Sequence, residues 1–279
     1  MSPADVPGRA TLRLLNSELG LLLGRMRIRA GLAVLAAVPV LIAVVVRTFG
    51  GPSNPGEGPP FLSDVTQNGL FIAFTALTVE LPLFLPLAVG VVAGDSIAGE
   101  AQMGTLRYLL VAPAGRTRLA VVKLASAILF CLVATFVVAV AGWLVGAALF
   151  PLHDVALLSG GTISAGDAIV RGAAVAGYVG LSLAGLSAVG VFVSTLTDVP
   201  IAAMATTVGL AITSQILDVI PQVSAIHPWL PTHYWLAFGD LLRQPVDTSM
   251  MVHGLLLQLG YVLVFGAAAW ARFTTRDVL

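Results

Sequence analysis

Six stretches of the chain are apolar for long enough to cross a bilayer: residues 30–46, 69–93, 119–150, 168–194, 199–220 and 252–271. A helix needs roughly 20 apolar residues to traverse the hydrocarbon core, so the pattern predicts an all-α polytopic membrane protein with six transmembrane helices. The third stretch exceeds one span and is expected to tilt or project beyond the membrane. The first is unlike a signal peptide, because its leading region is long and no obvious cleavage site follows the oily core. It is read as an uncleaved span.

Three polar or broken segments punctuate this pattern. Residues 9–29 have helical periodicity, with Leu12, Leu15, Leu19, Leu22, Leu23 and Met26 on one face and Arg9, Arg13 and Asn16 away from it. That pattern suits a helix lying in the headgroup plane; the plainer alternative is a basic tether. Residues 94–123 form the one charged interruption between two spans. Here Asp95 is expected to cap a short helix over 97–103, Gly104 to end it, and Thr105 to cap a second over 106–111 before Pro113 stops the chain. A solvated loop would need neither the paired caps nor Leu106, Leu109 and Leu110. Residues 218–250 are semi-apolar, broken by Pro221, Pro228 and Pro231, with Trp229, Tyr234, Trp235 and Phe238 at their centre. Short helices dipping into the outer leaflet and a depth-setting aromatic belt both fit that composition.

Charge orients the layout. Of the 279 residues 58% are hydrophobic and only 10% charged, far from the composition of a soluble domain. The net charge of zero hides an asymmetry. Arg9, Arg13, Arg25, Arg27, Arg29, Arg107, Arg116, Arg118, Lys123, Arg272 and Arg276 fall on one side, and Arg47, Arg171 and Arg243 on the other. The positive-inside rule then places both termini and the 94–123 hairpin in the cytoplasm. Glu57, Asp64, Asp154, Asp167, Asp218, Asp240 and Asp247 map to the outer side. The organisation expected is a cytoplasmic N-terminus and interfacial helix over 1–29, followed by a six-span transmembrane domain over 30–279.

Several chemistries find no support. The single Lys123 follows Val121-Val122, so no G-x-x-x-x-G-K-[ST] phosphate loop exists. Cys131 is the only cysteine, and His153, His227, His233 and His253 lack the i,i+4 spacing of helical metal ligands. Gly185-Leu186-Ser187-Ala188 misses the GxSG of an intramembrane serine protease at its last position, and no histidine lies deeper in a span than His253 at the edge of the sixth.

Glu80, near the middle of the second stretch and just before Pro82 and Pro86, stands out. A carboxyl group within lipid is costly and marks a functional hypothesis. It is expected to be protonated, or to face a hydrated cavity where a cationic or hydroxylated substrate could bind. The structural alternative is a hydrogen bond to a neighbouring helix through Gln215, Thr206 or Thr207. The prolines remove backbone donors and should kink this span. Small residues at four-residue spacing, Ala176, Gly180, Ala184 and Ala188, together with Gly142 and Gly146, predict close helix packing, within one bundle or at a dimer seam.

The spacing Asp95, Glu100, Gly104-Thr105-Leu106, Leu109-Leu110, Pro113 and Arg116, followed by Lys123, resembles the permease subunits of ABC-2 type exporters. The whole layout is also similar: an N-terminal interfacial helix, six spans, a coupling segment over 95–118 and outer re-entrant helices within 218–250. The resemblance implies a dimer of permeases, with a second copy or a paralogue, in a bacterial inner membrane. It also implies two ABC ATPase subunits that carry the ATP and Mg, with no cofactor in this chain, membrane lipids around it and no nucleic acid partner. Asp95, Glu100, Gly104, Thr105, Arg107, Pro113 and Arg116 would then couple the permease to its ATPase rather than catalyse anything, with the 195–200 turn a smaller second contact. The cargo expected is an amphipathic or lipophilic compound such as a drug, antibiotic or lipid; a polysaccharide would suit the same architecture. An ion-gradient-driven carrier relaying protons through Glu80 is the alternative, and a membrane-embedded enzyme a more distant one.

Overall fold

The computed structural model describes residues 7–49, 68–104, 115–151, 155–156, 162–243 and 245–275. Within them every predicted span is helical, and six helical stretches are long and apolar enough to cross a membrane. The chain is therefore a multi-pass membrane protein. Helix α1 (Pro7–Gly24) is followed by α2 (Met26–Phe49), then α3 (Phe71–Glu80), α4 (Phe84–Gln102) and α5 (Arg116–Leu149). After a two-residue antiparallel pair, Val155–Ala156 with Thr162–Ile163, come α6 (Ala165–Ser182), α7 (Ala184–Leu196) and α8 (Pro200–Asp218). Two 3-10 segments, Pro221–Trp229 and Ala237–Leu242, precede the last helix, α9 (Ser249–Thr275).

The second span breaks where its prolines predict. Helix α3 ends at Glu80 and α4 restarts at Phe84. Pro86 has no N–H to offer the Pro82 carbonyl one turn earlier. The side chain of Gln215 on α8 supplies the missing donor, its Nε2 reaching the Pro82 oxygen at 2.8 Å. The fourth span likewise divides at Leu183 into α6 and α7. Helix α9 begins with a local cap: the Asp247 carboxylate accepts the Ser249 N–H at 2.9 Å, and that bond holds its carboxyl below the ordinary aspartate range.

Helices α4 and α7 form the centre, with α8 and α9 packed on them and α5 joining α2, α3 and α6 to the bundle. In lipid no hydrophobic force draws helices together, so backbone approach and side-chain fit must do so. The α3–α5 crossing is the closest. A Cβ at Gly146 would lie 2.0 Å from the Gly69 carbonyl oxygen, and one at Gly142 would lie 2.7 Å from the Ala73 Cα. Ala176 and Ala188 are fully buried, and Gly180 packs on Leu132. The small-residue stripes are thus occupied within the chain, which answers the choice between bundle and dimer seam in favour of the bundle.

The amino-terminal helix is present and bends into α2 at Arg25. Its covered face is the predicted one over Leu15, Leu19, Leu22 and Leu23, with Arg13 and Asn16 exposed. It departs at its two ends, where Leu12 and Met26 are exposed, and at Glu18, which is half-buried on the leucine side. An ion pair made by Glu18, described below, accounts for that inward turn.

The 218–250 connection enters the bundle. The Trp235 indole N–H reaches the Ser182 carbonyl at 3.0 Å, at the break about halfway along the fourth span. The Tyr178 hydroxyl donates to the Tyr234 carbonyl at 2.6 Å, Gln258 Nε2 to the Pro231 carbonyl at 2.7 Å, and Arg171 to the Leu241 carbonyl at 2.8 Å. Trp235 and Phe238 are buried, Tyr234 is partly so, and Trp229 is exposed. The broken backbone is tolerated at depth because neighbouring helices satisfy its carbonyls. The connection is therefore packed into the bundle and is more than an aromatic belt on its surface.

Candidate functional site

The most concentrated chemistry lies at the end of the bundle shared by α1, the bend before α2, the end of α4 and the start of α5. Asp95, Glu100 and Lys123 are all buried there, with 5%, 8% and 2% of their surfaces exposed. The Asp95 carboxylate accepts from two guanidinium groups, Arg25 at 2.7 Å and Arg27 on the next turn. The Lys123 ammonium bridges two carboxylates, Glu18 of α1 at 2.5 Å and Glu100 of α4. Four helices, α1, α2, α4 and α5, are thus joined through two buried charge clusters. A buried charge is tolerated only when paired and hydrogen-bonded, and departure of α1 would take one of its two carboxylates from the Lys123 ammonium.

Asp95 does not cap a helix, as its spacing predicts. Helix α4 runs unbroken through it to Gln102, because Ile97 and Ala98 continue the buried apolar face. A contact from another helix also fixes this turn, and no local sequence pattern announces it. Ser194 of α7 inserts its hydroxyl into the α4 ladder, donating to the Gly94 carbonyl at 2.7 Å and accepting from the N–H groups of Ile97 at 3.1 Å and Ala98 at 2.8 Å. These three contacts fall at the turn that carries Asp95. Helix α7 therefore holds the charged end of α4 directly.

Gly104 ends the helix as predicted, at φ 69° with its N–H on the Ala101 carbonyl, a left-handed conformation that costs a side-chain-bearing residue about 1–2 kcal/mol. Arg116 opens α5 and donates to the Thr274 carbonyl near the end of α9 at 3.0 Å, beside a Trp270–Thr117 hydrogen bond of 3.0 Å. It thus ties α5 to α9. The turn between α7 and α8 is tight and exposed, with the Val199 N–H on the Thr197 hydroxyl. Thr105, Arg107 and Pro113 lie outside the described residues.

Glu80 is fully buried at the α3–α4 break, and neither of its carboxyl oxygens has a hydrogen-bond partner among the described residues. The expected neighbours do not reach it. Gln215 serves the Pro82 carbonyl, Thr206 bonds back to Ala202, and Thr207 bonds back to Ala203. The reading of Glu80 as an interhelical hydrogen-bonding group is thereby corrected: the proline break draws Gln215 away, and both threonines satisfy their own helix.

Two cavities lie near the opposite end. An apolar groove of about 660 Å³ runs between the first 3-10 segment and α9, walled by Trp229, Tyr234, His253, Leu257, Tyr261 and Phe265. A smaller one of about 190 Å³ adjoins the helix break and is lined by Pro82, Gln215, Asp218, Thr232 and His233. His233 and His227 are not isolated loop residues. They meet over Asp218, His233 at 2.6 Å and His227 at 4.0 Å.

A six-span bundle with a charge-locked end defines the chain as a polytopic helical membrane protein. The family profile described as "Protein of unknown function (DUF2705)" matches residues 40–279, and the chain belongs to that family. Comparison with curated proteins finds no match.

Proposed function

We propose that this chain is the membrane-embedded permease of an ATP-driven exporter of ABC-2 type, moving an amphipathic or lipophilic compound outward under the power of separate ATPase subunits. The observation that carries the reading is the pair of buried charge clusters joining α1, α2, α4 and α5. A passive anchor has no use for buried ions that weld an amphipathic helix to two spans. A transporter gripped from outside the membrane does, because force applied at α1 or at the end of α4 is delivered to the spans as one body. Ser194 extends that body to α7, and Arg116 to α9.

In this reading the charge-locked end faces the cytoplasm of a bacterial cell, as the arginine distribution requires, and both termini lie there. Two ATPase subunits bind ATP and Mg and close on the 95–118 segment of a permease dimer. The proline break after Glu80 lets α3 and α4 move relative to each other, with Gln215 as the latch. The 660 Å³ groove falls in the size range of small-molecule sites, about 300–1,000 Å³. Its apolar wall with four polar-tipped rings suits a lipophilic cargo.

The test is co-purification with a P-loop ATPase from the same genome, followed by an ATPase assay in proteoliposomes. Glu100→Ala and Asp95→Asn should lower coupled transport while leaving the spans helical. Transport by the purified chain without an ATPase would sink the proposal. One observation favours a second reading: the unpartnered Glu80 would serve a proton-coupled carrier. Transport abolished by collapsing the proton gradient but indifferent to ATP would select it.

A further inference from the structure

We infer that the groove between α2, α4 and α5 is a binding site for a single anionic phospholipid, drawn from the leaflet on the charge-locked side. The groove measures about 250 Å³ and is lined by Gly31, Leu35, Phe84, Leu87, Val91 and Phe130, with Arg27 as its only polar wall. From Arg27 to Leu35 it spans two helical turns, or roughly 12 Å at 1.5 Å per residue. It therefore starts at the headgroup level and descends along the hydrocarbon. That shape is one for an acyl chain with a charged group at its upper end.

The upper end offers open cationic donors. Arg25 and Arg27 share one carboxylate, Asp95, while Glu18 and Glu100 share Lys123, so the group is balanced as a whole and Arg27 is its exposed cationic edge. Arg27 uses a single nitrogen on Asp95, and a guanidinium has five N–H donors. The rest of its fork has no protein acceptor among the described residues, and its side chain is 48% exposed. A phosphate diester is the natural complement, since arginine binds phosphate through two parallel hydrogen bonds. The nearby Lys123 is already bridged by Glu18 and Glu100 and lines a different, much smaller cavity with Arg25 and Asp95. Arg27 is therefore the group that selects the headgroup. Basic pockets between membrane helices on the cytoplasmic side bind anionic lipid headgroups on the same principle.

Gly31 makes the site testable. A Cβ at this position meets nothing within 4 Å, so a larger side chain would fill the groove without disturbing packed neighbours. The inference rests on the chain lying in a bilayer and not on the exporter reading, so either can fail alone.

The experiment is native mass spectrometry on the full-length chain in delipidated detergent micelles, titrated with dioleoyl phosphatidylglycerol or dioleoyl phosphatidylcholine. Wild type should retain one phosphatidylglycerol with about tenfold preference over phosphatidylcholine, the scale of a charge-assisted bidentate contact. Arg27→Gln should erase the preference, with Arg25 still holding Asp95. Gly31→Leu should reduce retention of both lipids. Folding is checked by helical circular dichroism and a single gel-filtration peak; should Gly31→Leu fail that check, Val34→Phe on the same exposed wall replaces it. Equal retention of the two lipids, undiminished phosphatidylglycerol in the groove-filling variant, or displacement of the lipid by inorganic phosphate would each overturn the assignment.

Discussion

Lys123→Met probes the charge-locked end most directly. The ammonium is 2% exposed and serves Glu18 and Glu100 together. Methionine matches the stem of lysine and keeps the packing, so the change isolates the charge. Removing one partner of a buried ion pair costs about 3–5 kcal/mol, chiefly because the remaining charge is left uncompensated. The two arms contribute unequally. The Glu18 side chain is 20% exposed and can rotate toward solvent, so most of the loss falls on Glu100, at 11%. Glu100→Gln in the Lys123→Met background should therefore recover most of the cost, whereas Glu18→Gln should recover little. Each variant is unfolded by titrating SDS into the detergent-solubilised chain and following helical circular dichroism, and the coupling is read from the double-mutant cycle. Wild-type resistance in Lys123→Met, or additive effects of Lys123→Met and Glu100→Gln, would refute the idea that this end is held by buried charge.

Three further expectations test other elements. Gly146→Val drives a side chain into the Gly69 carbonyl and should destabilise by at least the 1–3 kcal/mol usual for overpacking, lowering the yield of monodisperse protein. Glu80→Leu removes a buried carboxyl that no neighbour satisfies, so resistance to SDS should rise by about 1–3 kcal/mol while transport falls; a destabilised variant would mean that Glu80 has a structural partner. Ser194→Val leaves the Gly94 carbonyl and two N–H groups of α4 without their hydroxyl, which should cost about 1–3 kcal/mol; faster hydrogen exchange at Ile97 and Ala98 would locate the loss, and unchanged exchange would count against the insertion.

The limits of legibility follow from the physics of each contact. Apolar runs are long and contiguous, so five of the six spans can be recovered to within a few residues; the second, expected over 69–93, is instead the short α3 followed by a helix that continues to Gln102. Pro82 and Pro86 announce the break in the second span because a missing N–H is a property of the residue itself. Gly104 signals a helix end for the same local reason. The partner that completes the break, Gln215, lies far along the chain and is polar in an apolar helix. Its presence signals a role, but nothing in its spacing says which acceptor it serves. Arg25 and Arg27 read only as members of a positive-inside count, and Glu18 as one polar residue on an amphipathic helix. Lys123 did carry a signal: it is the only lysine, placed inside an apolar run where a charge needs a counter-ion. Ser194 carried none, since serine within a span is common.

What the order of residues dictates here is the set of elements, because membrane insertion tests each segment on its own hydrophobicity, caps and breaks. What needed the folded bundle is the set of pairings. Asp95 shows the difference. Judged along the chain it belongs at the start of a short helix, yet it sits inside a long one, neutralised by two arginines from an element about 70 residues upstream. Electrostatic and hydrogen-bond partners depend on distance in space, and in a bundle of six crossings that distance is set by which small residues let two backbones touch.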